Sequence, residues 1–93
     1  MVRRNPPEAK AILHRMALRD EGALAELYAH YGRVVYSLAM RVLGHAGWAE
    51  ETTQDVFLKV WRDPHAWDPS GGTFESWFLT LARYTAIDRL RRE

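Results

Sequence analysis

The apolar residues Leu24, Leu27, Tyr28, Tyr31, Val35, Leu38 and Val42 recur at spacings of three and four, the signature of one buried stripe on a single long helix. Asp20 is placed to cap that helix and Gly44 to stop it, so it runs from Glu21 to Leu43. A stripe of this length has to be covered by other elements. In a chain of 93 residues they can form only one domain, because chains of this size bury about 60–65% of their unfolded surface and support no second core.

The partners for the stripe are also helical. No clean period-two stretch or Asn-Gly hairpin turn occurs, and the glycines and prolines fall between helical patterns. A first helix is predicted from Pro7, with Glu8 near the positive end of its dipole, through Ile12, Leu13, Met16 and Ala17, ending at Asp20. After a polar connection at His45, Ala46 and Gly47, a third helix buries Ala49, Thr53, Val56, Phe57, Val60 and Trp61 and is terminated by Pro64. Thr73 caps a fourth, with Phe74, Trp77, Phe78, Leu81 and Thr85 on one face. The predicted fold is an all-α, compact three- to four-helix bundle.

Composition narrows the function. With 47% hydrophobic and 27% charged residues the chain is an ordinary globular domain, and it lacks cysteine, so disulfides, thiolate zinc sites and a cysteine nucleophile are excluded. Its start has positive charge without a following apolar run, and no segment has the length of a membrane span, which predicts a cytoplasmic protein. The four histidines, His14, His30, His45 and His65, show no ligand spacing; no metal or cofactor is expected. Ser70-Gly71-Gly72-Thr73 lacks the lysine and the preceding strand of a P-loop, and no catalytic triad or carboxylate pair can be placed, so no enzyme is expected.

Three features remain. Glu51, Gln54, Asp55, Leu58 and Arg62 share the face of the third helix opposite its buried arc, either as a solvated face with a stray leucine or as a docking patch for a basic helix. The loop 63–73 is long and aromatic, and its Trp67 either plugs the helix ends or lines a pocket for an unstacked base. The fourth helix is apolar on two sides, because Leu79, Ala86 and Leu90 lie roughly opposite Phe74, Phe78 and Leu81. It is therefore either sandwiched or a reading surface. Trp61 and Trp77 are expected in the core. Net charge is +1, but residues 44–76 hold two basic and six acidic residues while both flanks are basic. One surface is thereby suited to a basic protein and another to phosphates.

Trp48-Ala49-Glu50-Glu51-Thr52-Thr53-Gln54-Asp55-Val56-Phe57-Leu58-Lys59-Val60-Trp61 resembles the segment of bacterial sigma factors that grips RNA polymerase. The stretch from Phe74 through Ser76-Trp77-Phe78-Leu79 and Ala82-Arg83-Tyr84 to Asp88-Arg89-Leu90-Arg91-Arg92 resembles the adjoining promoter-reading helix. In order and spacing these motifs look like domain 2 of the extracytoplasmic-function (ECF) sigma factors, a likeness that extends from about Ala17 to the end of the chain.

The resemblance implies a transcription initiation factor domain that docks on the clamp helices of the RNA polymerase beta-prime subunit through Glu51, Gln54, Asp55, Leu58 and Arg62. It implies that Trp67, Asp68, Ser70, Gly71 and Thr73 form a pocket for a base flipped from the single-stranded non-template minus-ten element. Leu79, Arg83, Tyr84, Ile87 and Arg91 would face neighbouring bases and phosphates. An anti-sigma factor is a further expected partner, the free chain is expected to be monomeric, and the family's minus-35-binding domain is absent from these 93 residues. Departures from the family pattern at Glu75, Leu79, Thr80 and Tyr84 leave the promoter sequence open. Thr52, common as an aliphatic residue in the family, is expected on an exposed sector. The rival readings are an interaction module bound only by an anti-sigma factor, a helix-turn-helix duplex reader and a metal-dependent hydrolase.

Overall fold

The computed structural model describes residues 9–93. It contains α1 (Ala9–Ala17), α2 (Glu21–Leu43), α3 (Ala46–Arg62), a 3-10 turn (Pro69–Gly71) and α4 (Phe74–Arg92), with no strand among the described residues. The expected starts at Pro7 and Glu8 lie outside the described residues. Helix α2 packs against all three other helices, and α3 against α4.

The helix ends follow from local chemistry. The Asp20 side chain accepts the Gly22 amide at 2.9 Å and caps α2. Gly44, at φ 62, closes α2 in the left-handed region that glycine enters without steric cost. Helix α3 begins one turn earlier than the sequence predicts, because His45 is its cap: Nδ1 accepts the Trp48 amide at 3.1 Å and the imidazole stacks on the Trp48 ring at 4.2 Å. Histidine is outside the usual capping set, which hides the boundary from sequence.

Arg19 occupies the left-handed region (φ 65) between α1 and α2, a conformation that costs a non-glycine residue about 1–2 kcal/mol. Its guanidinium donates to the Trp61 carbonyl at 2.7 Å and lies 4.2 Å from the Trp61 ring centroid. It thus satisfies one of the terminal carbonyls of α3 and ties the α1–α2 turn to that helix end.

The fully buried side chains include Ile12, Met16, Leu27, Val35, Val56, Val60, Phe74 and Phe78. Tyr31 sits 5.8 Å from Phe74 and 5.5 Å from Phe78, and Phe57 meets Phe78 edge-on at 5.2 Å. At the far end the small residues Ala39, Ala49 and Ala86 join Leu43 in a second cluster, where the lack of bulk lets the three long helices approach.

Several expectations need correction. Thr52 is buried, not exposed, and lies beside buried Thr53 on α3. The burial of Thr53 is tolerated because its hydroxyl donates to the Ala49 carbonyl at 2.7 Å, and Thr85 does the same to Leu81. Tyr28 is 53% exposed, and Trp61 and Trp77 are only partly buried: each ring packs on the core with one side and borders an opening with the other. On α4 the second apolar face divides, with Ala82 and Ala86 buried, Leu79 partly buried and Leu90 exposed.

Candidate functional site

Three openings lie on this scaffold, and no lining residue belongs to more than one. The largest, about 610 Å³, is an apolar groove between α2 and α3 walled by Leu24, Ala25, Tyr28, Phe57, Leu58 and Trp61, with Glu21 and Gln54 at its polar edge. Its shape depends on Gly32, where an added Cβ would meet the Tyr28 ring at 3.0 Å. The absent side chain lets that ring lie across α2, 5.0 Å from Phe57, as a groove wall. A glycine inside a helix stretch is the signal that could have found this wall from sequence.

The five residues that the helical wheel groups on α3 divide in space. Gln54 and Leu58 line the groove on the α2 side, with Leu58 38% exposed. Asp55 and Arg62 turn toward α4 and border a second, polar cleft of about 430 Å³. Glu51 is tied down: Arg89 Nη1 donates to it at 2.7 Å while Nε donates to Glu93 at 2.8 Å. The Glu51 bond, followed by that to Glu93, raises the Arg89 pKa above its usual value. The Arg89 side chain is only 17% exposed and packs 5.4 Å from the Trp48 ring, so this residue joins the start of α3 to the end of α4. Sequence reasoning missed it as one arginine among several.

The loop 63–73 is held mainly by its own backbone and short side chains. Asp63 Oδ1 accepts the His65 amide at 3.3 Å, and the Gly71 amide donates to the Asp68 carbonyl at 2.9 Å. Asp68 Oδ1 accepts both the Ser70 hydroxyl (2.8 Å) and the Ser70 amide (3.0 Å), which hold the carboxyl below its usual range and keep it ionised near neutrality. Gly72 adopts φ 140, open only to glycine, and Thr73 Oγ1 accepts the Ser76 amide at 3.1 Å to start α4.

Trp67 anchors the loop from beneath. It is 8% exposed, meets Phe74 edge-on at 5.4 Å, and its indole N–H donates to the Gly72 carbonyl at 3.1 Å. Of its two readings it fills the plug, while its remaining edge borders a pocket of about 300 Å³. Asp68, Gly71 and Thr73 line that pocket as well, together with Trp77, Ser76 and Thr80, which sequence reasoning did not place there. Ser70 is outside the lining and acts through Asp68. Along α4, Leu79, Arg83, Ile87 and Arg91 follow one another at four-residue spacing. Arg83 and Arg91 are exposed, Leu79 and Ile87 are partly buried, and Tyr84 stands beside them at 63% exposure.

A four-helix domain with these openings has known counterparts. Residues 27–93 match the Sigma-70 region 2 family, and the chain belongs to it. Within that family it is an ECF sigma factor region 2. It is 49% identical over 86 residues to the ECF RNA polymerase sigma factor SigK of Mycolicibacterium vanbaalenii, covering 92% of this chain and 44% of that protein. It is 46% identical over 83 residues to the SigK of Mycobacterium tuberculosis, covering 89% of this chain and again 44% of the relative. The chain therefore spans less than half the length of the curated relatives it matches. The crystal structure of Rhodobacter sphaeroides SigE in complex with the anti-sigma ChrR superposes with a TM-score of 0.79 at 37% identity, covering 94% of this chain and 54% of SigE.

Proposed function

We propose that this chain is the non-enzymatic transcription-initiation domain of an ECF sigma factor. It docks on the beta-prime clamp helices through α3 and captures a flipped non-template base of the minus-ten element in the 63–73 pocket. The observation that carries this reading is the presence of two chemically distinct openings on one scaffold: an apolar groove edged by Gln54 and Leu58, and an aromatic, self-braced loop pocket.

Each opening suits its task. An exposed leucine beside Tyr28, Phe57 and Trp61 offers a partner helix a desolvated anchor, and Gln54 and Glu21 supply polar contacts at the edge. In the loop, unstacking a base costs a few kcal/mol, which aromatic contact with Trp77 and the Trp67 edge offsets. Because the loop is already braced by its own hydrogen bonds, little ordering cost is added on binding. Asp68, an ionised acceptor, favours a base edge that presents N–H donors.

This reading places the domain in the cytoplasm with RNA polymerase; none of the described helices is long and apolar enough to cross a membrane. The SigE neighbour is seen with an anti-sigma, and we extend that partner class to this chain. Two measurements test the proposal. Gln54→Ala and Leu58→Ala should weaken binding to the isolated beta-prime clamp coiled coil, and unchanged binding would refute docking through this face. Single-stranded non-template minus-ten DNA should bind better than the matching duplex, and equal binding would refute base capture.

A further inference from the structure

The cleft between α3 and α4 is used by neither surface above. Its walls carry four cations, Lys59 and Arg62 from α3 and Arg91 and Arg92 from the end of α4, against two carboxylates, Asp55 and Asp88. None of Arg62, Arg91 and Arg92 makes an ion pair or side-chain hydrogen bond with any described residue. By contrast, Arg15 is held by Glu26 and Asp20, Arg19 by Trp61, and Arg89 by Glu51 and Glu93. Lys59 is drawn across the cleft floor, with Nζ donating to Thr85 Oγ1 at 3.1 Å. Thr85 in turn donates to Leu81, so that ammonium is fixed between the helices with donor capacity left over.

A cleft with a net charge of plus two, three unengaged guanidinium forks and a pre-positioned ammonium is matched to an acceptor-rich anion of fixed geometry. Arg91 also ends the four-residue row of Leu79, Arg83 and Ile87 along α4, so an anion in the cleft continues the line that row sets. We propose that the cleft seats the phosphodiester backbone of the promoter strand, and that Arg62 is a DNA-phosphate contact in place of the polymerase contact its position on the α3 wheel suggests. The inference rests on the reading of this chain as a promoter-binding domain. It adds residues from α3, Lys59 and Arg62, to the nucleic-acid surface and leaves base recognition to the loop.

The test uses the 93-residue chain with fluorescence-labelled oligonucleotides: the single-stranded minus-ten element, a scrambled strand of equal length, and the matching duplex. Arg62→Ala and Arg92→Ala are measured beside the unaltered chain across a salt series, with melting temperature as a control for folding. Removing one phosphate contact should weaken binding about fivefold on single strands and about eightfold on duplex at 0.1 M salt, equally on both sequences. The salt slope should fall by about 0.7 on single strands.

Unchanged DNA affinity in both variants would overturn the proposal, as would failure of the unaltered chain to bind any of the three DNAs at low salt. So would a loss confined to the clamp coiled coil in Arg62→Ala, which would assign the cleft to an acidic protein segment. The base-capture reading fails separately. If single strand and duplex bind equally but both variants still lose affinity on every sequence, the phosphate seat stands without the flipped base.

Discussion

The groove and the loop pocket are built by opposite means. The groove is made of side chains on two long helices whose backbones are fully used in helical hydrogen bonding, so its shape is set by what α2 and α3 present: Tyr28 over Gly32, Phe57, Leu58 and Trp61. The pocket is made of backbone. Its walls are positioned by Gly72 at φ 140, by the Asp68–Ser70 bonds and by the Thr73 cap, and one buried indole holds them to the core. A groove side chain can therefore be changed without disturbing the fold, whereas almost any change to the loop alters both shape and stability.

Trp67→Ala puts this contrast under the greatest load. Loss of a buried tryptophan costs about 3–5 kcal/mol, and the Gly72 carbonyl loses its donor, so thermal or denaturant melting should show a large loss together with loss of single-strand preference. Gly72→Ala should cost about 1–3 kcal/mol through backbone strain alone, since nothing lies within 4 Å of an added Cβ. A melting curve unchanged by Gly72→Ala would mean that the loop is not braced as described. Thr73→Ala removes the cap of α4 and should cost about 1 kcal/mol in the same assay.

On the groove side, Leu58→Ala should leave stability within about 0.5 kcal/mol while weakening clamp binding; a large stability loss would erase the distinction drawn here. The smallest effect expected is one of pH. The folded Asp68 carboxyl lies below its ordinary value of 3.8, so the loop gains stability above that value and loses it as pH falls through the lower folded one. Tryptophan fluorescence of the loop should stay flat from neutrality to about pH 5 and change only in stronger acid. A transition near pH 6 would contradict the Asp68–Ser70 arrangement.

The helical class, the α2 boundaries and the caps at Asp20, Gly44 and Thr73 were legible because each is written in adjacent residues of strong local preference. The start of α3 was not, because His45 caps through a ring nitrogen and through stacking on Trp48. Thr52 was misplaced because its family neighbours are aliphatic and its own hydroxyl reads as polar. The candidate surface on α3 was legible as a face but not as two surfaces: a wheel records angle around one helix and knows nothing of α2 and α4 on either side. The buried half of α4 was undetermined for the related reason that apolar residues surround it, so only the neighbours choose which of Leu79, Ala82, Ala86 and Leu90 is covered.

Arg19 sets local and distant preferences against each other. Judged from its own backbone angle, glycine is the better residue at this position, and Arg19→Gly would read as a repair. Yet the same exchange would leave the Trp61 carbonyl unsatisfied and free an indole that forms one wall of the apolar groove. A substitution that relaxes one turn would thus loosen a surface 42 residues away along the chain, and stabilising edits chosen by local geometry alone would go wrong at this position.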